Sequence, residues 1–227
     1  VFLDATGGVI DDAIVYQCGE ADYMLVVNAA MGAPIASHLR SHTPAGMDAA
    51  IHDHSDALGK MDLQGPAAAR ILARVLAEPA QVFDRMIYFS FKGTFDPQRL
   101  PGASITLIDG TPIMVSRTGY TGEFGFELFV APAAVEKLWK LLLAAGAPEG
   151  ILACGLAARD SLRAGAGLPL SHQDIGPWPF SRNPWQFVLP WTDSGDGFTK
   201  AFFGGAALLA ATDTSCTLPY AGFDPRK

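Results

Sequence analysis

Strand-like runs in this chain come in groups, and each group is broken by a single helical segment. That order constrains the fold more than any other feature of the sequence. DAIVYQC and DYMLVVN, residues 12–18 and 22–28, are rich in β-branched and aromatic residues and are separated by GEA, which predicts a hairpin. A short helix is expected from Pro34 to His42, with Ile35 and Leu39 one turn apart, followed by the extended MDAAIHDHS. DALGKMDLQG reads as a strand, and Gly65-Pro66 opens a helix in which Ala68, Ile71, Leu72, Val75 and Leu76 mark one face. Strands are expected at 86–94, 103–108, 111–116 and 125–130. A further helix has Pro132 near its start, Val135, Leu138, Trp139 and Leu142 on one face, and Gly146 as its stop. A doubly wound parallel sheet would alternate strand and helix one for one. Grouped strands instead predict an α+β fold of mostly antiparallel sheets with covering helices.

The 227 residues, 49% of them hydrophobic, suffice for one large domain or two small ones. Asp and Glu outnumber Lys and Arg by 23 to 16 and no basic run occurs, which argues against nucleic acid as the main partner and for small organic ligands. Cys18, Cys154 and Cys216 are odd in number, far apart and in no CxxC spacing, so neither a disulfide framework nor a zinc site is expected, and a reducing cytoplasm is the default. Cys154 is expected to pack as a small apolar residue. No apolar run approaches the roughly 18–20 residues of a membrane span. From Gly176 to Gly205 the texture changes: Pro177, Pro179, Pro184 and Pro190 break regular structure while Trp178, Trp185 and Trp191 crowd the segment, as in an ordered linker or lid. The expected organisation is therefore a core over 1–175, as one body or as two interleaved subdomains, and a Pro/Trp-rich segment over 176–227.

Three stretches can carry chemistry. In GGVIDD, Gly7 and Gly8 allow a tight turn, and a continuing strand would point Asp11 and Asp12 to opposite faces; the alternative is a plain glycine turn. SRTGYTGEFGFEL, Ser116 to Leu128, lacks the Rossmann spacing and opens no helix, so a phosphate cradle is not expected. Its glycines suit close approach to a flat ligand, Tyr120 can stack, and Glu127 can accept two parallel hydrogen bonds from an amino group beside a ring N–H. The alternative is a glycine-rich hairpin with exposed charges. In GLAARDSLRAGAGLPL, Arg159 and Arg163 lie one helical turn apart and can meet an anionic or carbonyl-bearing ligand together, or else form surface ion pairs. His38 and His42 have the spacing of a metal pair without an intervening catalytic Glu, and a solvated helix face is expected. His52 to Asp56 is expected to be a surface strand, and SHQD, Ser171 to Asp174, lacks a nucleophile elbow.

Taken in order, GGVIDD, LVVNAA, LQGPAA, SRTGYTGEFGFEL and GLAARDSLRAGAGLPL resemble the aminomethyltransferase family, the T-protein of the glycine cleavage system and related tetrahydrofolate-dependent methyltransferases and demethylases. FTKAFFGGAALL and TLPYAGFDPRK are similar to the family's passage into a C-terminal barrel. The resemblance implies a three-domain cloverleaf around a folate site, with the N-terminal segment and most of the barrel outside this chain, and the start at Val1 without a Met suggests a piece of a longer protein. It implies tetrahydrofolate as one-carbon acceptor, a lipoylated H-protein or a small-molecule one-carbon donor as partner, no metal, and a cytoplasmic setting. By motif, Asp11 is similar to the catalytic aspartate beside the reactive folate nitrogens, Asn28 to a residue of the same pocket, Glu127 to the glutamate that grips the pteridine amino edge, and Arg159 to an arginine at the folate; Tyr120 and Arg163 are their neighbours. Where family T-proteins read RLEAGLPLYG, this chain has RAGAGLPLSH, which places Ser171 and His172 at changed positions. Two other functions stay open: a folate-dependent demethylase acting on an O-, N- or S-methyl donor, and a non-catalytic folate-binding module.

Overall fold

The computed structural model of the chain describes residues 1–100, 102–180, 185–211 and 216–218. Pro184 and most of TLPYAGFDPRK lie outside the described residues. In chain order, β1 (Phe2–Leu3) pairs antiparallel with β2 (Val9–Asp11), β3 (Ala13–Gln17) forms a hairpin with β4 (Tyr23–Val27), and α1 (Gly32–His42) follows. Next come β5 (Gly59–Gln64), α2 (Ala68–Ala73), α3 (Pro79–Phe83), β6 (Phe91–Gly93), β7 (Met114–Ser116) and β8 (Gly125–Val130), then α4 (Val135–Gly146), α5 (Leu156–Gly165) and α6 (Gly205–Ala210). The expected α+β architecture with antiparallel sheets is what forms. The chain divides into two compact units interleaved along the sequence. One comprises Val1–Val15, Leu25–Asp53 and the described part of Pro169–Lys227; the other comprises Tyr16–Met24 and His54–Leu168.

The second unit is built on a four-stranded antiparallel sheet in the order β5-β8-β7-β6. Period-two alternation along β8 sends Phe126, Leu128 and Val130 to one face, where they pack with Leu63, Ile113 and Val115 against α2 and α4. All five residues of the predicted apolar face, Ala68 to Leu76, are buried there, although α2 itself ends at Ala73 and Val75 and Leu76 continue the face from the following turn. Each large side chain buried in this way contributes roughly 1.5–3 kcal/mol. The opposite face of β8 carries Glu127 and Phe129, both buried, so the strand is covered on both sides.

The first unit has its own core of Leu3, Val9, Ile175, Phe180, Leu189 and Leu208, with Trp185, Trp191, Phe198 and Phe202 packed on it. The Trp-rich segment thus supplies core rather than running as a linker or lid. Gly7, at φ +80, makes the tight turn expected of GGVIDD, and Asp4 Oδ1 accepts from Thr6 N–H and Gly8 N–H.

Several sequence expectations differ in detail. Residues 103–108 form isolated bridges, Leu76 to Leu107 and Thr106 to Pro112, and no strand. Pro112 has no N–H to extend a ladder, and Gly110 at φ +84 folds the segment back over a tight turn. Trp139 is 44% exposed, because the buried stripe of α4 runs through Leu138 and Leu142 and position 139 lies about 100° around the helix. His52 to Asp56 is not a strand; Ser55–Ala57 turns as a short 3-10 helix, as Ser and Asp favour turns. Cys154 is exposed rather than packed. His38 and His42 are not a simple solvated pair: their ring centroids lie 4.4 Å apart, and His42 stands 4.1 Å from Phe203, beside an open cavity of about 430 Å³. Among the described residues no helix is long and apolar enough to cross a membrane.

Leu128 is fully buried at the centre of the larger core. Leu128→Ala is expected to lower unfolding stability by about 3 kcal/mol, read from the urea midpoint at unchanged slope.

Candidate functional site

Polar side chains buried in the body of each unit form two clusters. In the first unit Asp11, the last residue of β2, has no solvent exposure. Asn28, just beyond β4, donates its backbone N–H to Asp11 Oδ2 at 3.1 Å and its side-chain amide to Asp11 Oδ1 at 2.8 Å. Ser171 Oγ donates to Asp11 Oδ1 at 3.2 Å. All three partners are neutral donors, and among the described residues no Lys or Arg side chain lies within ion-pair distance of Asp11 or Asp12. The sequence expectation that Asp12 turns away fails for a local reason. The strand breaks after Asp11, and Asp12 Oδ1 comes back to accept from the same Asn28 amide at 2.9 Å. One amide therefore ties two carboxylates together. His172, at φ +65, places Nε2 3.0 Å from the Ile10 carbonyl next to Asp11.

In the second unit Glu127 is 5% exposed on β8. Thr118 Oγ1 donates to Glu127 Oε2 at 2.5 Å, Tyr16 Oη reaches the same oxygen at 3.5 Å, and Lys60 Nζ lies 2.5 Å from Oε1. Ser116 completes the set, 2.8 Å from Thr118 Oγ1 and 3.2 Å from Tyr16 Oη. Register explains the charges: Asp62 lies directly opposite Glu127 in the β5–β8 ladder, an arrangement of like charges that is unfavourable by itself. Lys60, two residues back on the same face, bridges them, with Nζ 3.0 Å from Asp62 Oδ1. Arg159 on α5 continues the chain of charges, with Nε 3.8 Å from Asp62 Oδ2 and its guanidinium 4.7 Å from the centroid of Tyr120. Glu127, Arg159 and Tyr120 are thus brought into one cluster, as Asp11 and Asn28 are into the other.

Arg163, one turn along α5 from Arg159, is the more buried of the two. It is 5% exposed and its guanidinium bonds Asp160 at 2.8 Å and the Leu168 carbonyl at 3.2 Å. The glycines of the motif serve a different neighbour from the one expected. A Cβ on Gly119 or Gly125 would stand 2.3 or 2.2 Å from Gln64 Oε1. Their backbone is approached by the chain's own Gln64, whose Nε2 donates to the Thr118 and Phe126 carbonyls at 3.2 Å each. Gln64 Oε1 is buried with no hydrogen-bond partner among the described residues.

Sequence reasoning missed Tyr16, Lys60, Asp62, Ser116 and Thr118 in one cluster and Ser171 in the other. Alternation on DALGKMDLQG put Lys60 and Asp62 on one face, which was the available signal; nothing local pairs Tyr16 with a strand more than a hundred residues away. Burial pushes the Tyr16 phenol up, although bonds to Ser116 and Thr118 oppose it. For Lys60, burial pulls the ammonium down, but the charges of Glu127 and Asp62 outweigh it and hold the group above its ordinary 10.5.

Among known proteins, the family model described as GCVT N-terminal domain matches residues 1–191. The aminomethyltransferases of Bacillus cereus (strain G9842) and Bacillus anthracis are each 41% identical to this chain over 169 residues, 74% of this chain and 42% of theirs. In structure the chain is similar to glycine cleavage system aminomethyltransferase T from Bartonella henselae, with a TM-score of 0.68 and 29% identity, covering 92% of this chain and 50% of that one. The chain spans half or less of the length of these relatives.

Two outcomes follow from the clusters. Asn28→Ala leaves the backbone N–H on Asp11 but strips the side-chain amide from both Asp11 and Asp12, and is expected to cost about 2 kcal/mol in a chemical denaturation experiment. The raised Lys60 value means that its pairing stabilises the fold fully below pH 10.5, and that the contribution disappears as pH climbs through the higher folded-state value. The gap in urea midpoint between wild type and Lys60→Met should therefore be constant from roughly pH 8 to 10 and close above that.

Proposed function

The chain belongs to the GCVT N-terminal domain family, and on that premise we propose that it serves tetrahydrofolate-dependent one-carbon transfer. The preferred reaction passes the carbon of an aminomethyl group, carried on the lipoyl arm of an H-protein, to tetrahydrofolate with release of ammonia. The observation that carries this reading is the Asp11 carboxylate, fully buried, held by three neutral donors and, among the described residues, paired with no Lys or Arg side chain. A buried carboxylate without a counter-ion is costly to keep. Its negative charge is available for a positive charge that develops on the reacting carbon and nitrogen.

The acceptors around Glu127 fit the amino edge of a pteridine. Glu127 Oε1 accepts from Lys60 and keeps a lone pair for a ligand N–H, and Oε2, held closely by Thr118, can exchange its 3.5 Å contact with Tyr16 for a second one. Gln64 Oε1 is a further acceptor with no partner of its own. Bound tetrahydrofolate supplies the nucleophilic nitrogens that receive the carbon. Asp11, fixed by Asn28 and Ser171, orients the acceptor, stabilises developing positive charge and manages the proton that leaves the attacking nitrogen. Asn28 acts through Asp11 as a positioning residue. Glu127 grips the pteridine edge, Arg159 offers the guanidinium donors not turned toward Asp62, and Tyr120 backs that guanidinium. Arg163 is assigned to anchoring the end of α5 through Asp160 and Leu168.

A second reading keeps the folate-binding residues and takes a methyl group from an O-, N- or S-methyl compound. The contacts of Ser171 with Asp11 and of His172 with the Ile10 carbonyl favour it, because the positions that depart from the T-protein pattern touch the Asp11 cluster directly. Product analysis separates the two: 5,10-methylene-tetrahydrofolate formed with ammonia from the lipoyl carrier, or 5-methyl-tetrahydrofolate formed from a methylated donor. Folate binding with neither product would assign a non-catalytic module.

Asp11→Asn in the full-length protein keeps the shape of the side chain but removes the charge and turns one acceptor oxygen into a donor. Turnover should fall by roughly 10²–10⁴-fold while folate affinity changes less than about threefold. Unchanged turnover would remove Asp11 from the chemistry.

A further inference from the structure

Lys60 is absent from the chemistry argued so far, yet it stands closer to Glu127 than any ligand contact requires. Its ammonium has three donors. One is spent on Glu127 Oε1 at 2.5 Å and one on Asp62 Oδ1 at 3.0 Å, and among the described residues the third has no partner. The side chain remains 29% exposed, so the head is within reach of a bound molecule. Its place is set by backbone register: Asp62 faces Glu127 across the ladder, and residue 60 lies on the same face one pleat away. Thr118 holds the other oxygen, Oε2, at 2.5 Å. A planar ligand that gives one N–H to each oxygen of Glu127 would displace the long Tyr16 contact on Oε2 and lie between Thr118 and Lys60, and its atom next to the N–H on Oε1 would meet an ammonium.

That atom has to be an acceptor. An oxo group would take the third N–H of Lys60, whereas an amino group would set donor against donor and, on a protonated ring, cation against cation. We propose that Lys60 is a specificity residue: it selects heterocycles bearing an oxo group beside the ring N–H that Glu127 accepts, and rejects those bearing an amino group there. For a pteridine this means 2-amino-4-oxo over 2,4-diamino. The inference rests on the reading of Glu127 as the acceptor of the pteridine edge. The neighbouring carboxylates, which outweigh burial and hold the Lys60 proton tightly, keep the ammonium charged at neutral pH.

Folic acid carries the oxo group beside a ring N–H, whereas aminopterin carries an amino group beside a ring nitrogen without a hydrogen, and calorimetric titration of both into the full-length protein is the test. Wild type should bind folic acid at least about thirtyfold more tightly, Lys60→Met should narrow that preference by about tenfold and leave the part set by the ring nitrogen against Glu127, and Lys60→Arg, which keeps charge and donors, should retain it. Equal affinities in wild type, an undiminished preference in Lys60→Met, or loss of both ligands in Lys60→Met and Lys60→Arg alike would overturn the proposal. Glu127→Gln separates this from the premise: weakened binding of both ligands upholds Glu127 as the acceptor, and unchanged binding of both removes that premise instead.

Discussion

Burying the Glu127 carboxylate in the middle of β8 is the constraint around which the larger unit is arranged. The strand lies between two neighbours in the sheet and is covered on both faces, so its period of two divides the unit. Phe126, Leu128 and Val130 build the apolar core with α2 and α4, and Glu127 is left on the other face with almost no water. A carboxylate so placed needs donors, and they arrive from three directions in sequence: Tyr16 from the hairpin, Lys60 from β5 and Thr118 from the loop before β8. Gln64 then staples that loop to the strand through two carbonyls, in space that only glycine at 119 and 125 leaves open.

The smaller unit solves a similar problem with neutral side-chain donors. Asp11 is buried by the end of β2 and satisfied by an amide and a hydroxyl, while Asp12 shares the amide. The difference in partners separates the roles of the two carboxylates. Glu127, paired with Lys60 and bonded by Thr118, is the one proposed to read a neutral heterocycle edge. Asp11, which among the described residues pairs with no Lys or Arg side chain, is the one proposed to act where positive charge develops.

Much of this was legible in the sequence where the determinants are local. The apolar face from Ala68 to Leu76, the hairpin around GEA and the alternation of FGFELFV specified their elements, and the motifs singled out Asp11 and Asn28, which touch, and Tyr120, Glu127 and Arg159, which lie in one cluster. What was not legible depends on contacts between distant segments. Tyr16 meets Ser116 across a separation of 100 residues, and Ser171 meets Asp11 across 160. The turn of Asp12 back to Asn28 and the bending of 103–108 around Gly110 and Pro112 are decided by where strands stop, which periodicity does not fix. Arg159 and Arg163 share a helical spacing but differ in burial: Arg159 reaches Tyr120 and Asp62, and Arg163, nearly buried, bonds Asp160 and the Leu168 carbonyl.

The central claim is that Glu127 was buried with donors on both oxygens in order to read a pteridine edge. A crystal structure of the full-length protein with folate bound tests it most directly. The account predicts the ring amino group and the adjacent N–H each within about 3 Å of one Glu127 oxygen, with the oxo group toward Lys60. A pteridine whose edge touches neither oxygen of Glu127 would contradict it.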